Sequence, residues 1–406
     1  MSISPEKYYL GGLMKDIDKE DIPENMTIEM SNNETTYKSS QEINYNPCHK
    51  NFAINSPSTF FSPSLRGESF TNQSPSQNTI NLESMFFLPK SNILSIFSDK
   101  NLTKELQRSL ATSHNDVVNN FVNELKGSYR IIIKNKNGNY FCSDLIKKCN
   151  KEQRIQMLKE LSNTINIDCT DEFGTHAIQN LIEYASGEEE YLLLLSSFDN
   201  FKSILMAAMN KNGTYVIQKL IVHIPEIFRM KFNSIFVNLI DILSRDMYGI
   251  CTVKKFIGYT QNELIRKQFL NNVYKNFYNI SSSQYGNYLI QYLLEKWWKS
   301  TEGVYLKKLI YSKFLVLAAN YYSSFICDLF YKLCNDEEKK LLVSFINDNS
   351  NLKTIENIYQ NNIYQYRLPL CLYKIIKTIK SEKEQNDKDK NNGEDNNIKK
   401  NCNNEE

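Results

Sequence analysis

A short motif returns along this chain every 36 to 39 residues, and its copies are "NKNGNYFCSDLI", "DEFGTHAIQNLI", "NKNGTYVIQKLI", "DMYGICTVKKFI" and "SQYGNYLIQYLL". The glycine of each copy serves as its anchor, at Gly138, Gly174, Gly213, Gly249 and Gly286. A repeat of this length is typical of a solenoid, in which each unit buries its apolar face against its neighbours. The period constrains the fold more than any other feature of the sequence.

Weaker copies extend the series at both ends. A step of 37 residues beyond Gly286 reaches Ser323 in "NYYSSFICDLFYKL", and a step of 36 back from Gly138 reaches Leu102. A last, poor copy, "YRLPLCLYKII", is anchored on Leu368 after a step of 45. We therefore predict eight units, numbered in chain order. Terminal units of a solenoid are atypical caps, which agrees with the weak first and eighth copies.

Residues 86–380 show the apolar spacing of helices, with apolar residues three and four apart, as in "ILMAAMNKNGTYVIQKLIVHI". The expected class is all-α. Residues 1–85 are rich in Ser, Asn, Thr and Pro, and residues 381–406 are charged and rich in Asn. Such segments bury too little apolar surface to offset the entropy of ordering, so both are predicted to be disordered.

Composition argues against several classes of protein. The nine cysteines include no CxxC pair and the chain has four histidines, so we expect reduced thiols in a cytosolic or nuclear protein, no metal site and no cofactor. No stretch approaches the roughly 18 apolar residues of a membrane span. The start, "MSISPEKYYLGGLMKDIDKE", lacks the apolar core of a signal peptide. We expect neither secretion nor membrane insertion.

Charge is unevenly distributed along the chain. Residues 91–380 hold 36 Lys and Arg against 27 Asp and Glu, a net charge of +9, whereas the flanks together carry −7. A basic middle favours a polyanionic partner, because Lys and Arg near phosphates release counterions, although many proteins with such a charge bind no nucleic acid.

Three positions after each anchor carry residues that suit a ligand. The first and fifth residues after the anchor lie about 40° apart around a helix, and the second lies about 100° from the first, on one flank. In unit 6 these are Asn287, Gln291 and Tyr288. We call them the first edge, second edge and stacking residues. Two adjacent hydrogen-bonding groups beside one flat ring suit a nucleobase, bound along one edge and stacked on one face.

Packing explains part of the motif. It accounts for recurring apolar pairs such as Ile178 with Leu181, but a core helix does not keep two amides, since each buried amide needs partners. A single ring could be an interior aromatic, yet five of the eight units carry a ring at the stacking position, which favours stacking on bases. His176 has no Ser or Cys nucleophile with an acid at a fitting spacing, so we expect no enzyme.

Three further segments are interpreted as structural or peripheral. Trp297 and Trp298 are expected to pack between units 6 and 7. The acidic run 188–190 is expected to be a solvated loop. Residues 346–362, between units 7 and 8, are either a partner-binding loop or a tolerated insertion.

The spaced motifs resemble the Pumilio-homology domain of the PUF family of single-stranded RNA-binding proteins. The resemblance covers residues 91–380, about 70% of the chain, and rests on "YGNYLIQYLLE", "GTHAIQNLIE" and "NGTYVIQKLI". It implies a right-handed, crescent-shaped α-solenoid of eight three-helix repeats over residues 86–380, in which the second helix of each repeat lines a concave RNA-binding face.

The same resemblance assigns roles to residues at the three positions. The residues implied to read base edges are Thr103 and Gln107 in unit 1, Asn139 and Ser143 in unit 2, Thr175 and Gln179 in unit 3, Thr214 and Gln218 in unit 4, Asn287 and Gln291 in unit 6, and Ser324 and Asp328 in unit 7. The residues implied to stack are Tyr140, His176, Tyr215, Tyr288 and Phe325 in units 2, 3, 4, 6 and 7. The remaining positions depart from the family pattern, with Lys104 at the stacking position of unit 1, Ile250, Lys254 and Cys251 in unit 5, and Pro369, Tyr373 and Leu370 in unit 8.

In the family, Asn with Gln favours uracil, Ser with an acid favours guanine, and Ser, Cys or Thr with Gln tends towards adenine. With the RNA antiparallel to the repeats, units 7 and 6 are implied to read G and then U, and units 3 and 4 lean towards A. Asp328 is one methylene shorter than the Glu usual in the family, and Ile250 with Lys254 presents no edge code.

The implied function is sequence-specific binding of single-stranded RNA, one base per repeat, at UGU-containing elements in mRNA 3′-untranslated regions. A cytoplasmic monomer that recruits deadenylase or translational repressor proteins would then act in post-transcriptional repression or decay. Two alternatives stay open at this point: a nucleolar ribosome-biogenesis relative with low sequence selectivity, and a helical-repeat scaffold that binds protein.

Overall fold

A computed structural model describes residues 89–348, 351–355 and 369–381. Within these residues the chain forms helices and no strand, so the all-α prediction is confirmed. None of the described helices is long and apolar enough to cross a membrane. The two segments predicted to be disordered lie outside the described residues, apart from residue 381.

Seven units of three helices each are present in the described residues. The first helices are α1 (Lys90–Ile96), α4 (Tyr129–Ile133), α7 (Ile165–Asp168), α10 (Phe201–Ala208), α13 (Ile240–Ser244), α16 (Phe277–Ser281) and α19 (Phe314–Ala318). The second helices are α2 (Lys100–Thr112), α5 (Gly138–Lys148), α8 (Gly174–Tyr184), α11 (Gly213–His223), α14 (Gly249–Tyr259), α17 (Asn287–Trp297) and α20 (Ser324–Leu333). The third helices are α3 (Asn115–Glu124), α6 (Lys151–Leu161), α9 (Glu188–Ser196), α12 (Met230–Val237), α15 (Glu263–Lys275), α18 (Thr301–Ser312) and α21 (Asp336–Asn347).

The eighth unit is described only in part. Residues 351–355 and 370–381 are helical, and Pro369 precedes the longer helix. Residues 356–368, which include the predicted anchor at 368, lie outside the described residues. The number of eight units therefore stays a prediction, and so does the role of the segment between units 7 and 8.

The second helices pack side by side in chain order, each against the second helix of the next unit. The recurring apolar pair of the motif is buried at this layer: Ile178 and Leu181 are 0% exposed. Full burial of such a side chain contributes about 1.5–3 kcal/mol. The part of the motif that sequence assigned to packing therefore forms the core between units.

The anchor glycine is explained by a close approach between the first two helices of a unit. A Cβ added at Gly213 would lie 2.5 Å from the carbonyl oxygen of Ala207, six residues earlier. The same carbonyl, six residues before the anchor, faces each anchor glycine of units 2 to 6. In units 3 to 6, where this distance would be 2.5 Å or less, a side chain at the anchor would force the two helices apart. In unit 7 Ser323 occupies the anchor, and its hydroxyl donates to Leu317 O at 2.6 Å.

A polar residue three positions before each anchor holds the turn into the second helix. In unit 4, Asn210 Oδ1 accepts from the backbone N–H groups of Asn212 (2.8 Å) and Gly213 (3.0 Å). Asn135, Asp171, Asp246 and Asn320 make the same pair of bonds in their units, and Ser283 accepts one of them. This side-chain turn fixes the start of every second helix from unit 2 to unit 7.

The acidic run 188–190 is not a solvated loop, and that prediction was wrong. The run forms the first turn of α9, where carboxylates suit the helix dipole. Glu190 is 0% exposed and its Oε1 accepts from Arg154 Nε at 2.8 Å. Arg154 also donates to Cys149 O at 2.7 Å. Because Arg154 belongs to unit 2 and Glu190 to unit 3, their ion pair ties the two units together.

Both tryptophans are packing residues, and Trp298 lies between units 6 and 7 as predicted, whereas the Trp297 ring faces Arg266 of unit 5 at 5.7 Å. Trp297 is 5% exposed, and the ring of Trp298 meets Phe330 of unit 7 edge to face, with centroids 5.8 Å apart. The seven cysteines in the described residues are free thiols, and burial raises the pKa of Cys149 and Cys169 to about 12. These thiols are therefore protonated at neutral pH.

Candidate nucleic-acid interface

The two edge residues contact each other in units 3, 4 and 6, where the second is Gln. Gln179 Nε2 donates to Thr175 Oγ1 at 3.1 Å, and Gln218 Nε2 donates to Thr214 Oγ1 at 3.2 Å. In unit 6 Gln291 Nε2 donates to Asn287 Oδ1 at 2.8 Å. The side-by-side geometry predicted from the helical period is present in these three units.

The two edge residues are unequally exposed, which the sequence did not predict. The first edge residue is at most 4% exposed in each unit where it is polar: Thr103, Asn139, Thr175, Thr214, Asn287 and Ser324. The second edge residue is half-buried in units 1, 3, 4, 6 and 7. Solvent therefore reaches the second edge residue more than the first, and in units 3, 4 and 6 the first edge residue holds the second in place.

Hydrogen bonds to neighbouring backbone explain how the first edge residue acts as this support. The Thr175 hydroxyl donates to Asn212 O of the next unit at 3.2 Å. Its oxygen is therefore left to accept the hydrogen bond from Gln179 Nε2. Asn287 Nδ2 donates to Ser283 O and Gln284 O, each at 2.9 Å, which leaves Oδ1 to receive Gln291. A glutamine held in this way turns its other amide atom towards an incoming base.

Units 1 and 2 do not show this pairing. Thr103 donates to Asp99 O at 2.7 Å, and Gln107 Nε2 donates instead to Asp144 Oδ2 of unit 2 at 2.7 Å. In unit 2 Asn139 makes the same backbone bonds as its counterpart in unit 6, but its Oδ1 has no partner. Ser143 is too short to supply the amide that Gln supplies elsewhere. The edge residues of unit 1 are Thr and Gln, as in units 3 and 4, so the edge pattern alone did not predict its different contacts.

Asp328, the predicted guanine reader of unit 7, has a second role. Its Oδ1 accepts from the backbone N–H of Cys371 at 2.8 Å, in the first turn of the helix 370–381. A carboxylate there is stabilising, because it satisfies an N–H that has no partner within the helix and complements the helix dipole. Ser324 donates to Tyr321 O at 2.6 Å. Sequence reasoning missed the cap, since the contact joins residues 43 positions apart.

The stacking residues lie at the surface in units 2, 3 and 4. Tyr140 is 60% exposed, Tyr215 is 53% exposed and His176 is also exposed. The alternative that they are interior aromatics is therefore wrong for this group. Tyr288 and Phe325 are half-buried. Partial burial lowers the pKa of His176, so its ring is neutral at pH 7 and can stack as a flat apolar surface.

Unit 5 places a lysine beside the stacking ring of unit 6. Lys254 Nζ lies 5.8 Å from the ring centroid of Tyr288 and 5.6 Å from that of Tyr292. Ile250 is 6% exposed and offers no hydrogen bond. The sequence signal for this cluster is "TVKKFI", in which Lys replaces the Gln of the neighbouring units.

The chemistry available on this surface is that of binding. In the residues that the structure describes, no group of three His, Cys, Asp or Glu side chains could hold a metal ion. Rings, amides and ammonium groups along consecutive second helices can stack, form hydrogen bonds and attract anions.

Four segments of the chain, residues 132–162, 169–195, 204–231 and 276–297, match the family model described as the Pumilio-family RNA binding repeat. These four segments are Pumilio-family repeats. The segments contain the second helices of units 2, 3, 4 and 6, and therefore the three edge pairs in which Gln contacts the first edge residue. The family is one of binding repeats, in agreement with the expectation that this chain is not an enzyme.

Proteins similar to this chain occur in plants and yeast. It is 26% identical over 202 residues to Pumilio homolog 12 of Arabidopsis thaliana, a match that covers 48% of this chain and 33% of the relative. It is 24% identical over 198 residues to Suppressor protein MPT5 of Saccharomyces cerevisiae, covering 47% of this chain and 23% of the relative. The chain spans about a third of the length of the first curated relatives that it matches.

Solved structures share the fold. The Puf4 RNA binding domain bound to an HO endonuclease RNA 3′ UTR recognition sequence superposes with a TM-score of 0.59 at 18% identity, over 70% of this chain and 92% of that one. The RNA-binding domain of yeast Puf5p bound to SMX2 RNA gives 0.56 at 19% identity, over 70% and 80%. At these identities the likeness establishes the helical-repeat fold.

Proposed function

We propose that this protein binds single-stranded RNA sequence-specifically through its second-helix layer, one base per unit. The observation that carries the proposal is the arrangement in units 3 and 4, where a solvent-exposed ring stands next to a glutamine whose amide is fixed by a buried threonine. Such a site holds the plane of a base by stacking and its edge by hydrogen bonds. A fixed amide loses little entropy when it binds, so it can discriminate between bases.

The proposed target is a UGU-containing element in the 3′-untranslated region of mRNA. Asn287 with Gln291 would read uracil, and Ser324 with Asp328 would read the preceding guanine, because a carboxylate accepts the two N–H groups on the guanine edge. Support comes from the similar Puf4 RNA binding domain, which is bound to an RNA 3′ UTR recognition sequence. We propose further that the protein acts in the cytoplasm as a monomer and recruits deadenylase or translational repressor proteins.

Selection from a random pool of RNA with the purified full chain tests the proposal. An enriched motif with G followed by U, and A-leaning positions opposite units 4 and 3, is the expected result. Binding without a motif would support a low-selectivity relative instead. Absence of binding would support a protein-binding scaffold and refute the proposal.

The double variant Ser324→Asn, Asp328→Gln tests the assignment of unit 7. It recreates the edge pair of unit 6, so preference at one base should move from G to U by about 1–3 kcal/mol, by analogy with other bidentate base contacts. Because Asp328 also caps the helix 370–381, Asp328→Asn serves as the control, since an amide oxygen still accepts from Cys371. Unchanged preference in the double variant would show that unit 7 does not read this base.

A further inference from the structure

Unit 5 lacks every group that reads a base edge in the units around it. Its first edge residue, Ile250, is apolar and buried, and its second, Lys254, replaces a Gln. An ammonium has three hydrogen-bond donors and no acceptor, and it acts as a compact point charge. Without a second group to fix its orientation it distinguishes bases poorly, whereas it suits an anion well.

The Lys254 ammonium extends towards unit 6. It lies within 6 Å of the ring centroids of Tyr288 and Tyr292, which are one helical turn apart on α17. The negative faces of these rings attract the ammonium and hold it between the two units. Tyr288 is the stacking residue of unit 6. A base stacked there would take the ring face from the ammonium and bring its own phosphate close to it.

Two more lysines lie on the same pair of helices. Lys296 Nζ lies 5.7 Å from the Tyr292 ring centroid and donates to its hydroxyl at 3.4 Å. Lys255 Nζ lies 5.5 Å from the ring centroid of Tyr259. Among the described residues neither Lys255 nor Lys296 forms an ion pair.

The local charge balance favours an anion as the ligand of this cluster. Helices α14 and α17 together carry the three lysines and a single carboxylate, that of the exposed Glu295. Their net charge is therefore +2. This excess of positive charge on the two helices favours an anion such as phosphate as their ligand.

We propose that Lys254, supported by Lys296 on the same Tyr292 ring, is a phosphate-binding site for the RNA backbone, so that unit 5 fixes the strand without reading a base. This rests on the proposed function, because the ligand is a phosphate of the bound RNA. The site explains how a strand passes the unit that has no edge code and stays in register for units 4 and 6 on either side.

The experiment uses the full chain and the RNA selected with it. Lys254→Met removes the charge without supplying a new edge amide, and Lys254→Arg keeps the charge. For a single strand, each phosphate contact adds about 0.7 to the steepness with which log affinity falls against log salt. One contact therefore accounts for about a 2.6-fold loss of affinity between 50 and 200 mM salt, and a variant without that contact should lose about 2.6-fold less affinity over this range. The salt slope should decrease in Lys254→Met and stay unchanged in Lys254→Arg. Lys308→Met, an exposed lysine on α18, is the matched control and should leave the slope unchanged.

Neutral methylphosphonate linkages, placed one at a time along the RNA, locate the contact. One linkage near the unit 5 nucleotide should weaken binding by wild type but not by Lys254→Met. A change in base preference opposite unit 5 with an unaltered salt slope would overturn the proposal in favour of base reading. Equal salt slopes for Lys254→Met and wild type would overturn the phosphate-site proposal and leave the proposed RNA binding unaffected. If wild type binds no RNA, both proposals fall.

Discussion

The close contact at the anchor glycine predicts that alanine in place of Gly213 destabilises the protein, whereas alanine in place of Gly258 does not. A Cβ at Gly213 would lie 2.5 Å from Ala207 O and 2.9 Å from Ala207 Cα, whereas real Cβ atoms are essentially absent below 3.0 Å. The contact must therefore open by at least about 0.5 Å. Both atoms belong to backbone, so the opening has to separate α10 from α11.

The expected magnitude follows from two opposing terms. Forced overpacking costs about 1–3 kcal/mol, and alanine in a helix regains about 0.5–1 kcal/mol over glycine. We expect Gly213→Ala to lose about 1–2 kcal/mol of unfolding free energy. Gly258→Ala is the matched control, because a Cβ there meets only the Tyr292 hydroxyl, at an ordinary 3.6 Å. It should gain about 0.5–1 kcal/mol.

Urea denaturation followed by far-UV circular dichroism measures the two free energies. Amide hydrogen exchange then shows whether protection is lost in unit 4, since repeat proteins unfold by units as well as globally. Equal stabilities for the two variants would refute the reasoning, because they would show that the motif glycine is not required by the distance to Ala207. Gly213→Ala should also weaken RNA binding, since Thr214 and Gln218 follow directly on the displaced backbone.

Three further predictions concern the site and the core. Tyr215→Ala should weaken RNA binding by about 1–3 kcal/mol through loss of a stacking ring, whereas Tyr305→Ala, at an equally exposed ring on a third helix, should not; equal losses in a filter-binding assay would contradict this. Arg154→Met should destabilise the fold by about 3–5 kcal/mol in urea denaturation, because it leaves a carboxylate buried without its partner, and a loss below about 1 kcal/mol would refute a buried pair. Burial lowers the pKa of both His176 and His223 in the folded protein. As the pH falls, the unfolded chain therefore binds protons at these residues before the folded protein does, so stability should fall as the pH drops below about 6.5. The loss between pH 7 and 5 should be smaller in the double variant His176→Gln, His223→Gln; an identical loss would refute the assignment.

The sequence by itself determined the helical class, the repeat and the pairing of the two edge positions. These follow from local periodicity, because residues four apart on one helix must project together whatever surrounds them. The contact of Gln218 with Thr214 is of this kind. The outward rings of Tyr140 and Tyr215 were also predictable, since polar neighbours at fixed offsets mark the same face of the helix.

Only the tertiary structure decided which polar side chains are buried and which groups they bond. The first edge residues Thr175 and Thr214 are buried against the next unit, to which they donate at Asn212 O and Tyr248 O. Asp328 caps a helix that begins 42 residues later, and Glu190 is buried by an arginine of the preceding unit. A hydrogen bond between units depends on the distance between two backbones, and that distance is set by the packing of whole helices and not by any local pattern of residues.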